Sequence, residues 1–83
     1  MNVKIKELKF VDYSDVDFDW QLCDDIVEDG TGSSVNGRYL EVGFWKYIFK
    51  EYIEEGWARN RKDDIEKMLN NIKDLDDDIN IAF

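Results

Sequence analysis

The chain has 83 residues, with twenty acidic side chains against eleven basic ones, a net charge of −9, one cysteine and no histidine. That charge disfavours nucleic acid, anionic membranes and acidic substrates as ligands and favours basic surfaces. The single Cys23 excludes an internal disulfide framework and reads as a small core residue in a reducing compartment, while the missing histidine removes the commonest metal ligand and general base.

The length predicts one domain, residues 1–83, burying only about 60 to 65 % of its unfolded surface. The N-terminus, MNVKIKELKF, has no apolar signal region, and no run approaches the roughly 18 apolar residues of a membrane span. A soluble, cytoplasmic protein is expected. The charge is uneven: residues 1–11 sum to +2, residues 12–29 to −8, residues 30–62 to +2 and residues 63–83 to −5. Two acidic blocks flank a near-neutral, aromatic middle.

In chain order, Asn2 to Val11 predicts a strand, with Val3 and Ile5 alternating with Lys4 and Lys6, and Leu8 and Phe10 alternating with Lys9. The parity switches between Ile5 and Leu8, which predicts a bulge near Glu7 or two short strands. Asp12 to Asp15, DYSD, has turn chemistry. Val16, Phe18, Trp20 and Leu22 then alternate with Asp15, Asp17, Asp19 and Gln21, a period of two that favours an amphipathic strand. Leu22, Cys23, Ile26 and Val27 sit at helical spacing instead. The expectation is an extended segment giving way to a short helix that ends near Asp29. The following DGTGSSVNG, Asp29 to Gly37, predicts an exposed, mobile loop.

The stretch Tyr39 to Trp57, YLEVGFWKYIFKEYIEEGW, is the hydrophobic centre. It carries two apolar stripes at helical spacing, Leu40, Phe44, Tyr47 and Ile48 on one side and Trp45, Phe49, Tyr52 and Ile53 on the other, so it must be covered from two sides. Gly43 argues for a strand over Arg38 to Val42 and a helix over about 44–56, with Gly56 at its C′ position. A second helix, about 61–74, starts from an Asn60 cap with Asp63 three residues on and buries Ile65, Met68, Leu69, Ile72 and Leu75. Asp74 and Asp76 to Asp78 at its end oppose the helix dipole and need another explanation. Ile79, Ile81 and Phe83 alternate, which predicts a short C-terminal strand beside the first. Strands at both ends with helices between them define an α+β domain.

Catalytic and metal chemistry finds little support. Asp15, Asp17 and Asp19 open like a calcium loop, but Trp20 stands where its glycine belongs and Ile26 where its bidentate glutamate belongs. The same test from Asp74 meets Ile79 at the glycine place. No carboxylate pair is marked by apolar burial, Ser33 and Ser34 have no histidine to activate them, and Gly30-Thr31-Gly32 lacks the lysine of a phosphate loop. The chain is expected to be no enzyme and to need no cofactor.

The acids remain, either as a solvated surface or as a binding face. Eight acids with no base between residues 12 and 29 repel one another in a small domain, a cost that favours the second reading. In an extended segment Asp15, Asp17 and Asp19 would stand about 6.6 Å apart, comparable to successive phosphates. Asp24, Asp25, Glu28 and Asp29 could continue that track on the following helix, with Asp76, Asp77 and Asp78 as a second one. Such a surface would occupy a lysine- and arginine-lined groove that normally holds nucleic acid, with Tyr13 and Trp57 as apolar anchors.

The small size, the acidic tracks at 12–29 and 74–78, and the lysine, asparagine and isoleucine usage together resemble the small acidic inhibitors of phages and other mobile elements. These include anti-CRISPR proteins and DNA-mimicking anti-restriction proteins. The segment FKEYIEEGW, Phe49 to Trp57, with the acid-rich helix after it, is similar to the C-terminal half of one anti-CRISPR family. The resemblance implies a function class and transfers no site residue. The leading expectation is therefore an acidic inhibitor that binds and blocks the basic, nucleic-acid-binding surface of a partner, with no direct contact to nucleic acid or membrane. Two alternatives share the composition: an immunity or antitoxin protein for a basic toxin, and a homo-oligomeric structural or assembly protein joined through the central helix.

Overall fold

A computed structural model describes residues 9–83, so the strand and bulge expected over residues 2–8 lie outside the described residues. Strands come from both ends of the described chain and from its middle: β1 is Phe10–Asp12, β2 Tyr39–Glu41 and β3 Asn80–Ala82. Three helices connect them, α1 (Trp20–Thr31), α2 (Val42–Glu54) and α3 (Lys62–Ile72). The chain is an α+β fold, as its alternating ends and helical middle predict. The sheet order is β1-β3-β2, with β3 parallel to β1 and antiparallel to β2. The last strand in sequence is thus the central one. Val11, Ile81 and Leu40 lie side by side across the sheet and join the core, so the side chains between them fall on the other face.

The turn chemistry of DYSD forms as a 3-10 helix over Tyr13–Val16. The Asp12 carboxylate accepts hydrogen bonds from the backbone and hydroxyl of Ser14, and Asp15 accepts from the Asp12 N–H at 3.1 Å. Asp17 ends the turn in the left-handed region, φ 58°, a conformation that aspartate tolerates better than most residues. The expected extended segment over 15–22 therefore does not form. Its period of two survives only as burial, because the turn swings Val16 and Phe18 inward. Asp19 then caps α1, accepting from the Leu22 N–H at 3.1 Å, and from there the helical spacing of Leu22, Cys23, Ile26 and Val27 prevails. The helix runs past Asp29 and Gly30 to Thr31, where Gly32, φ 73°, donates to the Glu28 carbonyl.

The loop expected to be mobile is pinned instead. Asp24 accepts from the Ser34 hydroxyl at 2.7 Å and the Val35 N–H at 2.8 Å, and Val35 is fully buried.

Helix α2 starts two residues earlier than its glycine suggests. Glu41 makes no capping bond through its side chain; the first N–H groups are met by the last segment of the chain, Val42 donating to the Ile79 carbonyl at 2.8 Å and Gly43 to that of Asp77 at 3.0 Å. A Cβ on Gly43 would stand 3.1 Å from the Asp77 Cβ. That close approach, not helix termination, is why the position suits glycine. It also accounts for Asp77, which follows the C-terminus of α3 but lies beside the N-terminus of α2, where negative charge is favoured. Lys46 completes the junction, its Nζ donating to the Leu75 carbonyl at 2.7 Å and to Asp77 at 2.8 Å.

Of the two α2 stripes, only one is covered throughout. Trp45 and Phe49 are fully buried, with Tyr52 and Ile53 packed against the core, whereas Phe44 and Tyr47 in the other stripe remain 37 % and 64 % exposed. Gly56, φ 75°, follows the α2 C-cap as expected. The Asn60 cap does not form. Residues Arg59–Arg61 make a 3-10 turn and α3 begins without a side-chain cap, because burial of Ala58 and the bond from the Arg61 N–H to its carbonyl tighten the chain there. Ile65, Met68 and Ile72 form the buried stripe of α3. Among the described residues no helix is long and apolar enough to cross a membrane.

Cys23 is fully buried, its Sγ 4.0 Å from the Met68 sulfur, and burial pushes its thiol well above the ordinary range. The thiolate is the reacting form. A thiol reagent at mildly alkaline pH should accordingly fail to label native protein and label it fully in urea; rapid labelling of the native state would contradict this packing.

Candidate functional site

The ten acids singled out in the sequence divide by what they hold. Asp15 belongs to the 3-10 capping box and Asp19 caps α1. Asp24 fastens the 32–38 loop, and its bonds from Ser34 and then Val35 hold its carboxyl below the usual range. Asp77 pairs with Lys46. The regular track of Asp15, Asp17 and Asp19 is thus not formed. Two of its members are occupied locally, and the left-handed turn at Asp17 breaks the spacing. Asp17, Asp76 and Asp78 are exposed and have no ion pair or side-chain hydrogen bond among the described residues.

Asp25, Glu28 and Asp29 are brought together. Spaced i, i+3 and i+4, they share one face of α1 and line a single shallow cleft of about 410 Å³. Asp25 pairs with Arg61 at 2.8 Å and Asp29 accepts from the Tyr52 hydroxyl at 2.9 Å. Burial, and then Asp29, push the Tyr52 hydroxyl up to about 12.

A second pocket opens beside this cleft, between α1, the end of α2 and the start of α3. It encloses about 260 Å³, with Leu22, Ile26, Ala58 and Ile65 among its apolar walls and Asp25 and Asp29 at its polar side. Trp57 borders it, 53 % exposed, its ring perpendicular to that of Tyr52 with centroids 5.5 Å apart and an angle of 86°. Trp57 is exposed as expected; Tyr13 is half-buried, stacked on Phe83 at 5.6 Å. Tyr52 and Arg61 belong to the site but carry no signal in one sequence, because they meet their acids from 23 and 36 residues away.

Three lysines, Lys46, Lys50 and Lys73, line with Glu66 a separate groove of about 420 Å³ between α2 and α3 over Ile53 and Leu69. Among the described residues no group of three or more carboxylates or thiols converges to hold a metal ion. The sequence matches no protein-family model, and comparison with curated proteins and with solved structures finds no significant match.

Proposed function

We propose that this is a non-enzymatic, cytoplasmic interaction protein that occupies the basic, nucleic-acid-binding surface of a partner and blocks it, in the manner of anti-CRISPR and anti-restriction inhibitors from phages and mobile elements. One observation carries the reading: Asp25, Glu28 and Asp29 converge on a single helix face beside a pocket with an exposed tryptophan. Carboxylates supply long-range attraction to a cationic groove, and the adjoining apolar surface supplies the anchor that charge alone lacks. Asp15, Asp17 and Asp19 make no extended track, so the acids expected on the helix after them, Asp25, Glu28 and Asp29, carry the reading, with Asp17 and Asp76 to Asp78 in support.

The test is capture of partners on immobilised protein, elution by a salt gradient, and competition between this protein and nucleic acid for the partner recovered. Binding should fall steeply with salt. Glu28→Lys should weaken it several-fold and Glu54→Lys very little. Equal effects of the two substitutions, or a partner that binds nucleic acid undisturbed, would refute the proposal.

The exposure of Phe44 and Tyr47 favours a second reading, self-association through the open stripe of α2. Under that reading sizing chromatography gives a dimer at all salt concentrations, lost in Tyr47→Glu.

A further inference from the structure

We propose that the pocket beside Trp57 receives one arginine side chain of the partner. The inference rests on the acidic-face reading and names the group that this face anchors. The pocket, at about 260 Å³, is smaller than a drug-sized ligand site and suits a single long side chain. Its walls are apolar where a methylene stem would lie, on Leu22, Ile26 and Ile65, and acidic where a charged head would lie, at Asp25 and Asp29.

Each of these carboxylates has one oxygen engaged, Oδ2 in both cases. Among the described residues the other oxygen, Oδ1, has no partner. A planar guanidinium can bridge carboxylate oxygens through its fork of N–H groups and stack on an aromatic face, which an ammonium does less well. Trp57 borders the pocket with its ring half in solvent and perpendicular to Tyr52, an exposed indole on which a guanidinium can stack.

The protein itself demonstrates the chemistry. The Arg61 guanidinium already sits on Asp25 at 2.8 Å, with both side chains nearly half exposed, 46 % and 45 %. An exposed pair of this kind is weak, so an incoming guanidinium can share or displace it. Asp25 and Asp29, with Glu28 in the adjoining cleft, repel an anionic side chain.

The experiment titrates isotope-labelled protein at low salt with two blocked peptides of equal charge, hexa-arginine and hexa-lysine, followed by NMR. The expected result is a saturable shift of the Trp57 indole N–H with hexa-arginine, which binds about two- to fivefold more tightly than hexa-lysine. Trp57→Ala should abolish that preference, bringing the affinity for hexa-arginine down to that for hexa-lysine. Arg61→Gln, which frees Asp25, should tighten hexa-arginine. If both peptides bind equally, are weakened alike by Glu28→Lys and ignore Trp57→Ala, the acidic face stands and the arginine pocket is overturned. If neither binds at low salt, both readings fall.

Discussion

Replacing Trp45 with alanine is expected to remove most of the protein's stability. The side chain is fully buried and is the hub of an aromatic cluster, with ring centroids 5.7 Å from Phe18, 5.3 Å from Phe49 and 5.4 Å from Phe83. These partners come from the turn before α1, from α2 and from the residue after β3, so the one ring joins three parts of the chain. A buried tryptophan truncated to alanine costs roughly 3–5 kcal/mol, against a total of about 4–12 kcal/mol for a domain of this length. The variant should unfold at far lower urea, or show no cooperative transition by circular dichroism. Trp45→Phe should lose much less. It keeps most of the ring contacts and removes an indole N–H that has no hydrogen-bond partner among the described residues, a burial worth about 1–3 kcal/mol against the native protein. An alanine variant with an unchanged urea midpoint would mean that the cluster does not hold the fold together.

The parts legible in the sequence are those set by periodicity within one element. Ile65, Met68 and Ile72 fall three and four apart, and α3 buries them; Ile79, Ile81 and Phe83 alternate, and a strand forms there beside β1. The misread segment is the one where two periods overlap. Val16, Phe18, Trp20 and Leu22 alternate as a strand would, but the aspartates between them cap backbone N–H groups more effectively than they line a sheet face, and the chain turns at Asp17. Asp77 looks misplaced until Gly43 and Lys46, more than thirty residues earlier, are brought to it by the fold. The functional face divides in the same way. Asp25, Glu28 and Asp29 share a face as soon as α1 is known to be a helix, whereas Arg61, Tyr52 and the pocket they border are created by tertiary packing.

Deleting the last five residues, Ile79 to Phe83, is expected to abolish the native fold. Loss of an edge strand would unpair one neighbour. Here, among the described residues, β3 is the only strand paired with β1 and with β2, so the deletion unpairs both. It also removes the Ile79 carbonyl that accepts from Val42 at the start of α2, and the exchange in which Gly37 donates to the Phe83 carbonyl at 3.1 Å and Phe83 to that of Arg38 at 3.0 Å. Ile81, fully buried at the sheet centre, and the Phe83 ring on Trp45 and Tyr13 go with it. Loss of a buried isoleucine alone costs about 2–5 kcal/mol, and the orphaned backbone groups add to that. The chain 1–78 should give a poorly dispersed NMR spectrum with residual helix. Asn80→Ala, a change on the face of the sheet away from the core, should keep the native spectrum and lower the melting temperature only slightly. A native spectrum from the shortened chain would instead mean that the three helices and their aromatic cluster hold themselves together without the sheet.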